Sequence, residues 1–160
     1  MLRFIVGAGL LLALALPAGA AEFTGKVASV VDGDTIHVLR DGKDVTVQLW
    51  GVDAPESAQP YSDKSKTWVT DRLAGKTVRV VEKDRDRFGR LVGQVFLEGS
   101  DISAELVRAG GAWAYARFSR AYVSQEKMAR DAKRGLWALP KPQAPWDWRR
   151  ENPRRTDTDQ

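Results

Sequence analysis

Residues 23–50 read FTGKVASVVDGDTIHVLRDGKDVTVQLW, and the alternation within this stretch decides the fold. Phe23 to Val31 is rich in β-branched residues and ends at the turn pair Asp32-Gly33. Thr35 to Leu39 follows as a second apolar-alternating run, closed by Asp41-Gly42-Lys43, a hairpin signal, and Val45 to Trp50 forms a third. Such runs separated by Asp-Gly pairs predict consecutive antiparallel strands. Beyond them, Gly51 to Pro60 carries two prolines and reads as a loop. Tyr61 to Leu73 changes to helical spacing, with Tyr61, Ser65, Trp68, Val69, Arg72 and Leu73 on one stripe and Gly75 behind it. Thr77 to Val81 and Leu91 to Leu97 return to strand character. Ile102 to Val107 follows an Asp101 cap and stops at Gly110-Gly111, and Ser119 opens a last helix that runs through Lys133 to Gly135. Five strands with a helix after the third predict an α+β fold: an OB-type Greek-key barrel with three α-helices.

The remainder of the chain flanks that domain. Arg3, the apolar run Phe4 to Leu16, Pro17 and the small residues Ala18-Gly19-Ala20-Ala21 have the order of a removable signal peptide. The apolar run is short for a membrane span, which takes about 20 residues. The expected organisation is a signal peptide over 1–21, one domain over 22–148 and a polar, disordered tail over 149–160. The mature protein is expected in the periplasm or the medium, as a monomer with no membrane anchor. Cysteine is absent, so an exported domain depends on its core and on what it binds. The formal charge of +4 is a mild excess and by itself says little about a polyanionic partner.

Asp34 starts a strand whose alternate residues Ile36 and Val38 face the core, so its carboxylate is aimed along the inner face. A buried carboxylate without a counter-charge is expensive, and a bound cation would resolve that cost. Taken alone, the motif reads as a turn in which Asp32 bonds backbone amides. Asp53 and Glu56, in Trp50-Gly51-Val52-Asp53-Ala54-Pro55-Glu56, shift the balance. The third strand pairs with the second, so its far end returns beside Asp34. Oxygen-rich side chains without cysteine or a useful histidine suit a hard cation such as calcium. An acidic loop facing water is the alternative. In Asp84-Arg85-Asp86-Arg87-Phe88-Gly89-Arg90 the first four residues read as a surface ladder, while Arg90 follows the turn glycine into a strand and can be held toward the acidic end. His37 has outward parity. Trp68, Trp113 and Trp137 read as core, and Trp146 and Trp148 as part of a strap across the domain.

Asp32-Gly33-Asp34-Thr35, Val52-Asp53-Ala54-Pro55-Glu56, Asp86-Arg87-Phe88-Gly89-Arg90, Glu105-Leu106-Val107-Arg108-Ala109-Gly110-Gly111 and Gly135-Leu136-Trp137 occur in the order and spacing of the staphylococcal nuclease family, which the chain resembles over residues 23–138. The resemblance implies Asp34 and Asp53 as calcium ligands, assisted by the Ala54 carbonyl, Glu56 as general base and Arg90 as phosphate ligand. It implies DNA and RNA as substrates, with Gln48, Phe88 and Tyr115 as further substrate contacts. Two positions depart from the family pattern: Gln48 stands where many members carry arginine, and Phe88 where tyrosine is common. Arg85, Arg87 and Lys64 are candidates for the charge that Gln48 lacks. The alternative is an OB module that has lost activity and binds single-stranded nucleic acid or a protein partner.

Overall fold

The computed structural model of the protein describes residues 20–153; most of the expected signal peptide and residues 154–160 lie outside it. Three strands, β1 (Glu22–Val30), β2 (Thr35–Arg40) and β3 (Lys43–Leu49), form the expected meander. A two-residue strand β4 (Val52–Asp53) and helix α1 (Ser62–Leu73) lead to β5 (Thr77–Arg85) and β6 (Leu91–Leu97). β7 (Ser100–Asp101), α2 (Ile102–Ala109), β8 (Trp113–Ala114), α3 (Val123–Asp131), a 3-10 turn over Gly135–Ala138 and α4 (Pro145–Glu151) complete the described chain.

The sheet runs β3-β2-β1-β5-β6, and β3 also pairs with β6, which closes five strands into a barrel. The closing pair is parallel, with Val47 opposite Leu91, Gln48 opposite Val92 and Leu49 opposite Gly93; the other barrel pairings are antiparallel. Period-two geometry sends Val27, Ile36, Val38, Val47, Leu49, Val80 and Val95 inward, where all are buried. Val69 and Leu73 of α1 and Ile102, Leu106 and Val107 of α2 cover the barrel's open side and belong to the same core. A second cluster of Trp113, Ala129, Leu136, Trp137 and Ala144, with Tyr61, Leu139 and Trp146 packed on it, ties the C-terminal segments together.

Two glycine contacts fix how these parts meet. A Cβ on Gly33 would stand 2.2 Å from the Ser65 hydroxyl and 2.7 Å from the Ala54 methyl, so only glycine lets the Asp32-Gly33-Asp34 turn lie against α1 and the β4 loop. Ser65, itself buried, donates to the Gly111 carbonyl at 2.6 Å. Gly110 and Gly135, both at positive φ, meet backbone to backbone, and Leu136 N–H donates to the Gly110 carbonyl at 2.9 Å.

The fold class agrees with the sequence reading, but the helix count does not. Among the described residues there are four α-helices, and the fourth begins at Pro145, suited to a first helical turn, and continues through Glu151. Residues 149–151 therefore belong to an ordered helix and not to a polar tail starting at 149. The strap of Trp146 and Trp148 is the first part of that helix. The β4–β8 bridge, Val52 to Ala114 and Asp53 to Trp113, was also invisible in the sequence because each strand is only two residues long.

Candidate active site

Thr35 of β2 lies opposite Gln48 of β3, so the start of one strand and the end of the next share one end of the barrel. The Asp34 carbonyl accepts from Leu49 N–H at 2.7 Å, and the chain beyond β3 folds back over the turn. This brings Ala54 to Asp34: the Ala54 N–H donates to Asp34 Oδ2 at 2.8 Å. Thr35 Oγ1 donates to Asp34 Oδ1 at 3.0 Å. Ala54 thus has a backbone role at Asp34 beyond the carbonyl role that the resemblance implied.

Asp34 and Asp53 are each 7% exposed. Burial pushes the Asp34 carboxyl well above the usual carboxylate range, and the charges of Asp32 and Asp53 push it further. Burial also raises Asp53, although hydrogen bonds from Arg149 partly oppose it. Two acids are therefore held near each other, at a cost that a shared cation would relieve. Among the described residues, no three Asp, Glu, His or Cys side chains gather closely enough to hold a metal between them. The three carboxylates expected at this end all line one cleft, where Asp34 and Asp53 are the buried pair and Glu56 is engaged by Arg149. An all-oxygen pair of carboxylates, with no nitrogen or sulfur donor, is the chemistry of a hard cation, whose remaining ligands come from carbonyl, water and substrate oxygens. The residues fit calcium as part of a shell.

Arg90, the residue before β6, lines the same cleft. Its Nε donates to Asp86 Oδ2 at 2.6 Å, and its Nη2 donates to Gln48 Oε1 at 3.0 Å. Asp86 Oδ1 also accepts from the Phe88 and Arg90 N–H groups, both at 2.9 Å. Burial pulls the Asp86 carboxyl up, but these bonds outweigh it and hold the group below its usual range. Within the expected surface ladder, then, Asp86 is the residue that orients Arg90. Phe88 is 69% exposed at the rim, with the Arg87 and Arg90 guanidinium groups 4.7 and 5.7 Å from its ring centre.

These residues line a cleft of about 1060 Å³ that includes Asp34, Gln48, Asp53, Ala54, Glu56, Phe88, Arg90 and Tyr115, all the positions singled out from the sequence. The Tyr115 ring packs tilted against Trp146, with centres 5.5 Å apart. His37, paired across to Thr46, is not among the lining residues.

Among the candidates for the missing charge, Arg87 lines the cleft, Arg85 turns to the Gly89 carbonyl at 3.2 Å, and Lys64 lies over the Tyr61 ring. The arginine that enters the acidic group lies in the stretch that the sequence reads as a solubilising basic tail, with contact to phosphates as the alternative. Arg149 of α4 donates from Nη1 to Asp53 Oδ1 at 3.1 Å and to Glu56 Oε1 at 2.7 Å, and from Nη2 to Asp53 Oδ2 at 2.8 Å. Gln59 was missed. It is buried, accepts from Glu56 N–H at 3.1 Å and donates to the Gln143 carbonyl at 2.6 Å, so it couples the Glu56 loop to the segment before α4. No nearby sequence signal places either residue beside Glu56.

A closed small barrel with paired carboxylates and a braced arginine in one cleft defines a class of phosphate-handling OB-type proteins. The family model described as staphylococcal nuclease homologue matches residues 46–139. An Escherichia coli O157:H7 protein named as an uncharacterized endonuclease is 41% identical over 136 residues, covering 83% of this chain and 89% of the relative. A Shigella flexneri protein named micrococcal nuclease is 36% identical over 165 residues, covering 95% and 94%. A Haemophilus influenzae protein named as an uncharacterized endonuclease is 37% identical over 131 residues, covering 80% and 74%. The chain belongs to the staphylococcal nuclease family.

Proposed function

We propose that this protein is a calcium-dependent nuclease that hydrolyses phosphodiester bonds within DNA and RNA. The observation that carries the reading is the juxtaposition of buried Asp34 and Asp53 with the Asp86-braced Arg90 in one open cleft. Family membership and relatives named as nucleases support it. Asp34 and Asp53, with the Ala54 carbonyl, are the residues that would hold calcium. When bound, calcium supplies Lewis-acid polarisation of a phosphoryl oxygen and a site for water.

The chain's own groups have separate tasks. Glu56 takes a proton from the attacking water as its oxygen bonds to phosphorus, and the bond from phosphorus to the departing strand's oxygen breaks. That oxygen leaves with a proton from solvent. Arg90, fixed by Asp86 and Gln48, donates to the phosphoryl oxygens as their charge grows, a geometry suited to a planar fork. The nucleophile is water, so no ribose 2′-hydroxyl is needed and both nucleic acids qualify. The exposed Phe88 and the rim-lining Tyr115 are placed to meet unstacked bases, which favours single-stranded or flexible segments. The proposal includes export, on the Arg3, Phe4 to Leu16 and Ala18-Gly19-Ala20-Ala21 pattern.

Single-turnover cleavage by Glu56→Gln and Arg90→Ala tests these assignments. Each variant should lose about 10²–10³ in rate, the scale of one preorganised group at the transition state, while its circular dichroism is unchanged. A variant that cleaves at the parent rate has been assigned the wrong role.

A further inference from the structure

Helix α4 lies beyond the residues that the family model matches, yet it is well anchored. Trp146 packs edge-on against Trp113 with ring centres 5.6 Å apart, Ala144 is buried, and Gln143 bonds both Gln59 and, through Nε2, Glu151 at 2.7 Å. Arg149 is therefore delivered into the cleft by a fixed element. Its side chain is 42% exposed there while two of its nitrogens hold Asp53 and Glu56.

The cleft's other strand-borne contact to substrate is neutral. Gln48 spends its amide oxygen on Arg90, leaving Arg90 as the braced guanidinium on the β3–β6 side. Hydrolysis of a phosphodiester builds negative charge on several oxygens at once, which a second guanidinium in the cleft would match. Arg149 lines the same cleft from α4, and its bidentate hold on the Asp53 carboxylate is the same fork geometry that a phosphate takes. Asp53 cannot serve a cation and this guanidinium fully at the same time. With a cation on Asp53, the Arg149 N–H groups that now hold it would be available to an anion in the cleft while the bond to Glu56 is kept.

We propose that Arg149 is a second phosphate-binding residue of the site, acting with Arg90 and supplying from α4 the charge that Gln48 does not supply from β3. The assignment rests on the nuclease reading. Asp53 and Glu56 hold the guanidinium in the cleft.

The test compares the full chain with Arg149→Ala, Arg149→Lys, Gln48→Arg and the double variant Gln48→Arg/Arg149→Ala. Single-turnover cleavage of a single-stranded oligonucleotide in calcium is measured beside calorimetric titration with a nucleoside 5′-monophosphate, which has no diester to cleave. Arg149→Ala should lose about 10²–10³ in rate and bind the monophosphate about tenfold more weakly, the size of a charge-assisted contact. Arg149→Lys should keep part of both. Gln48→Arg should restore at least about tenfold to Arg149→Ala, because the charge is returned from β3. Three results would overturn the assignment. Arg149→Ala could cleave as fast as the parent or faster, which makes Arg149 a plug on the acids. It could lose rate with monophosphate affinity intact and no rescue, which makes it only a positioning residue for Glu56. It could retain both rate and affinity when Gln48→Arg changes neither. Melting curves accompany every variant, and if alanine unfolds α4, Arg149→Lys with and without Gln48→Arg carries the same comparison. A parent that does not cleave sinks the nuclease reading, while the monophosphate titration still reports whether Arg149 touches phosphate.

Discussion

Asp34 accepts hydrogen bonds from Ala54 and Thr35, but neither donor brings a full positive charge, and Asp32 and Asp53 add repulsion. In the metal-free protein this carboxylate is a liability. Asn in its place can accept from the Ala54 N–H with its oxygen and donate to a rotated Thr35 hydroxyl with its nitrogen. Asp34→Asn is thus predicted to raise the melting temperature in chelator by about 2–5 °C, equivalent to about 1 kcal/mol. It should also abolish the rise that calcium gives the parent. A variant that melts lower in chelator and is still stabilised by calcium would remove Asp34 from the metal site. Asp86 presents a second case at this scale, because three of its hydrogen bonds end on the Phe88–Arg90 turn. Asp86→Ala should lower single-turnover cleavage about tenfold or more without touching substrate, since a mispositioned guanidinium loses much of its effect. If Asp86→Ala matches the parent, Arg90 is held by something else. The gathering of Asp34, Asp53 and Arg90 at one end of the barrel was legible because each sits at the end or entrance of a strand, and Glu56 followed from its nearness to Asp53; the roles expected of them came from the family resemblance. Asp86 was seen but misread as part of a surface ladder, since charge alternation alone does not reveal which acid faces inward.

The hairpin signals at Asp32-Gly33 and Asp41-Gly42 located β1 to β3 closely, and the inserted helix was legible from its 3.6-residue stripe. Elements whose reason for existing is tertiary were not. β4 and β8 are two residues each and exist only as partners. Helix α4 carries Arg149, Arg150 and Glu151 in its last turn, which reads as a solvated tail until Ala144 is seen buried in the second cluster and Trp146 packed on it. Arg149 is separated from Asp53 by 96 positions, a distance over which no periodicity informs. Gln59 joins two of these elements, and its side chain is buried while it serves Glu56 on one side and Gln143 on the other. Gln59→Ala would orphan a backbone donor and a carbonyl. The expected cost is about 1–3 kcal/mol in denaturant unfolding, with cleavage reduced further than stability alone accounts for. Unchanged unfolding would show that water replaces the link at no cost.

At the scale of the whole molecule, a barrel without cysteine holds its buried acids at one end of a continuous apolar core. A cation bound only by the folded state adds stability by mass action, about 2.7 kcal/mol at a hundred times its dissociation constant. Stability and activity should therefore rise together with calcium. The cleft is open and lined by both signs of charge, and a cation on Asp34 and Asp53 would lessen their repulsion of a polyanion. Magnesium, which demands a tighter, near-ideal octahedral shell and retains its waters, is predicted to substitute poorly. The most direct test of the central claim is cleavage of closed circular plasmid DNA and of RNA by the purified protein, in calcium, in magnesium and in excess chelator. The account predicts nicked and then fragmented products from both nucleic acids in calcium, little in magnesium and none in chelator. Undiminished cleavage in chelator, or intact plasmid and RNA in calcium, would contradict it.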